Sequence, residues 1–486
     1  MDTRPAQLEH SALGLRDVVF QGISHIGPAL SVVFILPLIA RRAGVAMPIS
    51  LALAVVVCFF VANTVAQFSR YMPSSGGYYT FVSRGLGPRC GFLTTWSYLI
   101  YDILGPAGAI GYLGFAVSGF LKNETGIEVP WWLVSLATTA VVWSLTYFGI
   151  RISAHATALL GFVEILIIFA LGVTCLIDPG RNSSLTAPLD PSAAPTGWTG
   201  ILSGMLFSIL ALTGFEAPAP LAEETRRPKS FISQAIFTSL TIVGLFYVFM
   251  AYASAVGWGT EDLSGFTADN AQPYKVLAGR LWGPGWWLVF FALLNGALAV
   301  AISCTNAATR VMYTMALAGT LPAALQKIHP IHRTPYWAVH IHQILQIASF
   351  LVIGALFGAG EIFDFLGTIA ALAAIALYIP ANIALIVFVR RQHPADFNTW
   401  RHGMVPILGT LFLVPVIVVS VVPLPDYPGS LTPFLFVAMM LIGFVVLKII
   451  EIRRPEALAD RFLESPVGFN NEQPAQESET RIRRKL

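Results

Sequence analysis

Apolar residues in this chain run in long unbroken blocks, not in the short alternating stripes of a water-soluble fold. No charge occurs between Arg42 and Arg70, between Phe231 and Thr260, or between Leu281 and Thr309. A helix needs about 20 apolar residues to cross the hydrocarbon of a bilayer. The pattern therefore predicts twelve spans, at 17–40, 44–69, 89–121, 130–150, 153–178, 198–221, 231–258, 281–318, 336–358, 361–390, 403–423 and 430–451. The expected fold class is an all-α membrane protein with twelve transmembrane helices.

Two of these blocks hold residues that a helix interior resists. The first span reads Gly22-Ile-Ser-His25-Ile-Gly27-Pro28-Ala-Leu-Ser31, and the sixth reads Leu212-Thr-Gly214-Phe-Glu216-Ala-Pro218-Ala-Pro220. Proline removes a hydrogen-bond donor and disfavours helix in the residue before it, and glycine loosens the same turn. Amides and carbonyls freed there cannot face lipid, so they must line a cavity or meet a ligand. The breaks fall at matching positions if 17–178 and 198–390 form two five-helix halves, with helices 11 and 12 following at 403–451. Paired interruptions of this kind point to a transport site built from discontinuous helices. The half-helix amino ends would present positive dipole to an anionic group such as a carboxylate. Ordinary proline kinks are the plainer explanation of either break alone; their pairing favours a site.

Composition agrees. Of 486 residues 56% are hydrophobic and 11% charged, against roughly a quarter charged in a soluble domain. A net charge of +3, without lysine runs interleaved with aromatics, excludes a nucleic-acid partner. Cys58, Cys90, Cys175 and Cys304 lie far apart beside apolar stretches, so neither zinc spacing nor a disulfide framework is expected; they read as small packing residues. If the amino terminus is cytoplasmic, inner loops and tails hold 23 of the 29 Lys and Arg residues, leaving outside only Arg41, Arg42, Lys122, Arg181, Lys275 and Arg280. That bias places both termini in the cytoplasm of a multi-pass protein of the cell membrane. The opening segment, 1–16, carries Asp2, Arg4, Glu9 and Arg16 and no signal-peptide pattern, so insertion through the chain's own spans is expected. The tail, 455–486, has little to bury and reads as disordered; its Arg481–Lys485 cluster either touches anionic lipid or is merely solvated.

Three stretches carry a family resemblance. The first is Met72-Pro-Ser-Ser-Gly76-Gly77-Tyr78-Tyr79 with Arg84-Gly-Leu-Gly87 and Trp96. The second is Gly214-Phe215-Glu216 with Ala222-Glu223-Glu224-Thr225 and Arg227-Pro228. The third is Asn306-Ala-Ala-Thr309-Arg310 with Ala318-Gly-Thr-Leu321-Pro322, Lys327-Ile-His329-Pro330 and Thr334-Pro335. In this order the chain resembles the amino acid–polyamine–organocation permeases over roughly residues 13 to 390. The resemblance implies a 5+5 inverted-repeat (LeuT-like) fold with helices 1 and 6 broken, alternating access, and substrate held between helices 1, 3, 6, 8 and 10. It places Ile26, Gly27, Pro28, Ala29, Leu30 and Ser31 in one site segment and Ala211, Leu212, Thr213, Gly214 and Phe215 in the other, with His25 at a position that can face substrate. Many members carry Gly-Ser-Gly in the first break where this chain has Pro28-Ala29-Leu30, which weakens the case for backbone capture of a full α-amino acid. Some proton-coupled relatives place a lysine midway along helix 5; the matching position here is Glu164, so a lysine mechanism does not carry over.

Charges at membrane depth cost at least a few kcal/mol, so each is a functional candidate. Glu164 either releases a proton when water reaches it, coupling transport to the proton gradient, or is a neutral acid bonded to a neighbouring helix. Asp102 either pairs with a substrate ammonium or sits near a water-filled vestibule. Glu216 resembles the family's gating acid on the inward path. His25 is a substrate or pH-sensing candidate, or a packing histidine. His340 and His342 read as interfacial, and Trp131-Trp132 and Trp286-Trp287 as interfacial anchors. Glu223, Glu224, Arg226 and Arg227 either lock the inward gate or form a solvated cluster.

The function expected is a secondary transporter for amino acids or closely related amines, by proton-coupled symport. Exchange of substrate for product and sodium coupling through Ser303 or Thr305 are the alternatives. No cofactor or metal is expected, and no Walker loop offers ATP as the energy source. A lipid-linked transferase would show Asp-x-x-Asp clusters, which are absent, or paired histidines, and the one close pair, His340 and His342, lacks a carboxylate nearby in sequence; a channel would show a pore-lining polar ring rather than two matched helix breaks.

Overall fold

A computed structural model of the chain describes residues 12–268, 272–422, 424 and 426–458, with backbone alone for 150–157 and 160. The expectations for residues 1–11 and for 459–486, including the basic cluster, lie outside the described residues. Among the described residues there is no strand, only one isolated bridge between Leu13 and Thr225. The longer helices are α1 (Leu15–Ile26), α2 (Leu36–Ala43), α3 (Met47–Tyr71), α4 (Tyr78–Leu86), α5 (Pro88–Thr125), α6 (Trp131–Tyr147), α7 (Ile150–Ile177) and α8 (Trp198–Leu212). They continue as α9 (Pro228–Trp258), α10 (Pro273–Trp282), α11 (Trp287–Leu317), α12 (Tyr336–Phe357), α13 (Ile362–Gln392), α14 (Val405–Val421) and α15 (Thr432–Arg453).

Eight helical runs among the described residues are long and apolar enough to cross a membrane. One of them, Leu15–Tyr71, merges two predicted spans, and Gly161–Ile177 and Trp198–Leu212 are shorter apolar helices. Helix α5 has 38 residues, about 57 Å at 1.5 Å per residue, well beyond the roughly 30 Å of hydrocarbon. It begins after Gly87 and stops at Gly126, whose φ of 72° is left-handed.

Helices α5, α11 and α13 pack against one another or through shared neighbours at the middle, with α1, α7 and α9 grouped alongside. Helices α14 and α15 lie outside, where Leu411, Phe412, Phe434 and Leu441 are exposed. An apolar surface of that kind fits lipid and not water. Trp132 and Trp287 are also exposed.

The helix that begins at Leu15 is interrupted at one residue. Gly27, with φ 69° and ψ 70°, closes α1 by donating to Ile23 O at 3.1 Å, and Pro28 starts the next turn. The chain then widens into a π turn over Ser31–Ile35 before α2. Pro37 has no N–H to return to Val33, which accounts for the widened ladder.

At one end of the molecule the chain is pinned by backbone bonds and a buried ion pair. Leu13 N–H donates to Glu224 O at 2.9 Å, and Arg226 N–H donates to Leu13 O at 3.0 Å. Arg310 on α11 grips Glu224 from two sides, Nε to Oε2 at 3.0 Å and an Nη to Oε1 at 3.3 Å, both side chains fully buried. Ser75 Oγ donates to Glu223 Oε1 at 2.5 Å and contacts Thr314 Oγ1 at 2.8 Å. The solvated-cluster alternative therefore fails for Glu224, and Arg310 is the partner that locks it. The tail is likewise ordered at its start, where Pro455–Leu458 forms a turn with Ala457 buried near Gly319.

Removing one member of a buried pair strands the other charge at about 3–5 kcal/mol, whereas apolar replacement of both is often neutral. Arg310→Met is thus expected to lower the unfolding temperature in detergent more than Arg310→Met with Glu224→Leu. A double variant no more stable than the single would count against this reading of the pair.

Candidate functional site

The second break is longer than the first. Helix α8 stops where Thr213 turns to ψ 139°, and Gly214 adopts φ 118°. Turns fill Thr213–Pro218, and a 3₁₀ segment covers Ala219–Glu224. Three prolines-or-glycine positions in seven residues prevent α-helix from resuming. Glu216 caps its own break: Gly214 N–H donates to Oε2 at 3.1 Å, and Tyr378 Oη donates to Oε1 at 3.0 Å. The carbonyl of Ile26, freed by the first break, accepts from Ser31 Oγ at 3.1 Å and from Tyr247 Oη at 3.2 Å.

The two breaks touch. A Cβ placed on Gly214 would lie 2.5 Å from His25 Cδ2 and 2.9 Å from Ile26 N, and one on Gly27 would lie 2.3 Å from Val300 Cγ2 on α11. Only glycine permits these approaches at these dihedrals. Beside the contact is a small cavity. His25, Ile26, Leu30, Ser31 and Thr213 line it among the expected site residues. Gly27, Ala29, Ala211, Leu212, Gly214 and Phe215 stand behind the wall; Phe215 stacks on Tyr378 with ring centres 5.9 Å apart. The rest of the wall comes from α5 (Tyr101, Gly105, Pro106), α11 (Val300, Cys304) and α13 (Phe363, Gly367), with Leu210 and Ile35. Of these only Cys304 was named from the sequence, and as a packing residue; the others sit inside apolar runs, although Tyr101 adjoins Asp102.

Phe363 also lines a second space with Phe34, Arg41, Tyr112 and Asp364. Arg41 ends α2 and Leu13 precedes α1, so this space opens at the end opposite the Glu224–Arg310 pair. Phe363 is thus shared by the cavity and this second space.

The buried ionisable groups gather around the breaks. Asp102 is fully buried, not beside a vestibule, with Oδ1 3.1 Å from His25 Nε2. His342 is buried too, correcting its interfacial reading; its Nε2 lies 3.2 Å from the Asp102 carbonyl and its Nδ1 3.4 Å from Thr305 Oγ1. His340 stays half-buried and accepts from Trp143 Nε1 at 2.8 Å. Glu164 is fully buried on α7. A Cβ on Gly296 would meet Glu164 Oε2 at 2.6 Å and Leu30 N at 3.2 Å, so the acid sits at the first turn after the first break. Its carboxyl approaches the Ala29 amide, yet neither oxygen has a partner of full hydrogen-bond geometry. A helix amino end in low dielectric is where a carboxylate is best tolerated. Ser303 Oγ donates to Gln21 O at 2.9 Å and Thr305 Oγ1 to Ala301 O at 2.7 Å, so both hydroxyls named for sodium already have partners. Cys58, Cys175 and Cys304 are buried, as packing residues would be, and Cys304 also lines the cavity; Cys90 is exposed.

A helix bundle with two abutting breaks and a cavity beside them is the arrangement expected of a permease. The chain belongs to the amino acid permease family, whose profile matches residues 13–446. It is 26% identical over 429 residues to the branched-chain amino acid permease BcaP of Bacillus subtilis (strain 168), covering 84% of this chain and 86% of that protein. It is 24% identical over 338 residues to the low-affinity putrescine importer PlaP of Escherichia coli (strain K12), covering 66% and 71%. The glutamate/serine transporter AimA of Bacillus subtilis (strain 168) is 25% identical over 379 residues, covering 72% and 66%. Membership makes this a multi-pass membrane transporter and not an enzyme.

Forcing the breaks apart tests their contact. Strain of about 1–3 kcal/mol corresponds to roughly tenfold or more in rate. Gly214→Ala is expected to lower uptake by that factor at equal expression, whereas Gly119→Ala, with open space around it, leaves uptake unchanged; equal uptake by both variants would remove the contact from the mechanism.

Proposed function

We propose that this chain moves amino acids or closely related amines across the cell membrane by alternating access, coupled to the inward flow of protons. The observation that carries the reading is the contact of Gly214 with His25 and Ile26 beside a cavity that both breaks line. In the proposed architecture twelve helices comprise two inverted five-helix halves, 17–178 and 198–390, followed by helices 11 and 12 at 403–451. Both termini are cytoplasmic, which the distribution of basic residues supports. The Glu224–Arg310 end is then the closed cytoplasmic gate, and the space beside Arg41 and Asp364 the outer vestibule.

In this reading the substrate's polar groups meet the interrupted backbone where Ile26, Leu30, Ser31 and Thr213 line the cavity, close to His25 and Asp102, while the rest of Ile26–Ser31 and Ala211–Phe215 holds that backbone in place. Its side chain lies against Leu30, Leu210, Val300 and Phe363, a wall that suits a compact apolar group. BcaP's name speaks of branched-chain substrates and so favours the same choice. Glu216 holds the second break in shape from the cytoplasmic side. Glu164 carries the coupling proton: at the amino end of the post-break turn, it is stabilised as an anion when water enters and as a neutral acid when the site is dry.

Uptake of a labelled amino-acid and amine panel into proteoliposomes under imposed pH or sodium gradients tests the reading. Accumulation driven by pH with an aliphatic amino acid is expected. Glu164→Gln is expected to abolish proton-driven accumulation and retain exchange; equal loss of both would count against a coupling role.

A further inference from the structure

Three side chains converge on one nitrogen in the cavity wall. Tyr101 Oη lies 2.9 Å from His25 Nε2, Asp102 Oδ1 3.1 Å and Cys304 Sγ 3.4 Å. A neutral imidazole nitrogen offers one proton or one lone pair, so it cannot serve all three. Asp102 is fully buried, yet neither carboxylate oxygen receives a directed hydrogen bond, and His25 Nδ1 is likewise unpartnered. A buried carboxylate in that condition is costly, and a cation placed between it and its neighbours relieves the cost.

The spacing suits such a cation. One donor atom each from His25, Asp102 and Cys304 lies within 4.8 Å of the others. Ligands at about 2.0–2.3 Å from a tetrahedral zinc ion stand roughly 3.3–3.7 Å apart, near the 3.1 and 3.4 Å that separate His25 Nε2 from Asp102 Oδ1 and Cys304 Sγ. The donors belong to α1, α5 and α11, all regular helix and none a loop, and the cavity gives a path of entry. A nitrogen, oxygen and sulfur set selects against magnesium and calcium, which take oxygen, and for zinc-like ions.

We propose that His25, Asp102 and Cys304 form a binding site for a borderline-soft divalent cation of the zinc class, with Tyr101 or a water as fourth ligand. The bound ion ties α1, just before its break, to α5 and α11. Taken with the alternating-access reading, on which this consequence rests, the ion acts as a brake on transport.

The test uses the full-length protein purified in detergent, with the exposed Cys90 replaced by serine throughout. Zinc is titrated against a chromophoric chelator, and cobalt is added separately to read thiolate-to-metal absorption. One tight equivalent is expected, with a rise in unfolding temperature on zinc addition. Cys304→Ser and Asp102→Asn should each weaken it by more than the roughly 10–100-fold that loss of an outer-shell partner costs, and Cys304→Ser should erase the cobalt band. Unfolding temperatures of the metal-free variants establish that they fold. Cys304→Ala serves if Asp102→Asn does not. Undiminished binding in Cys304→Ser, or its loss on replacing the stacked surface pair His329 and His332, overturns the proposal. Binding is read without transport, so a chain that binds zinc but moves no substrate even after the metal is chelated away overturns the transport reading and leaves the site standing.

Discussion

Inside hydrocarbon no water meets a freed amide or carbonyl, and the rest of this structure follows from how two broken helices satisfy that demand. Each break lends groups to local partners: Ile26 O takes two hydroxyls and Gly214 N–H takes the Glu216 carboxylate. The breaks then abut, with Gly214 seated on the His25–Ile26 backbone. Glycine at 27 and 214 is what allows this approach, because any side chain there would collide with helix backbone or with Val300. Polar backbone is thereby collected in one place, and a cavity lies beside it.

The acids follow the same logic. Glu216 is held by an amide and a tyrosine, Glu164 faces the amino end of a turn, and Asp102 faces a histidine. Each occupies a spot where a positive dipole or a potential cation lies near, and none faces lipid. A permease built this way keeps its charges where the chain is already interrupted.

Much of this was legible in the residues. Uncharged blocks such as 43–69 read as membrane helix because composition alone decides whether a segment tolerates lipid. Both breaks were legible because proline and glycine act locally. What was hidden depends on contacts between distant segments. His342 looked interfacial, and Asp102 was left between a substrate-pairing and a vestibule position, because sequence gives no depth along a helix as long as α5 or rotation about α12. Arg310 read as part of a motif, and its partner Glu224 lies 86 positions away. Tyr101, Cys304 and Phe363 were lost among apolar neighbours, since a cavity wall and a packed core draw on the same residues.

The Glu224–Arg310 pair has a kinetic consequence. Two charges held dry at contact distance attract strongly, but the attraction collapses once water separates them and raises the local dielectric. Any movement that parts α11 from the segment after the second break therefore meets resistance over the first ångström or two and little afterward. The junction behaves as a latch, shut or released with few states between, and the Leu13–Thr225 bridge makes the amino-terminal strand of chain release along with it.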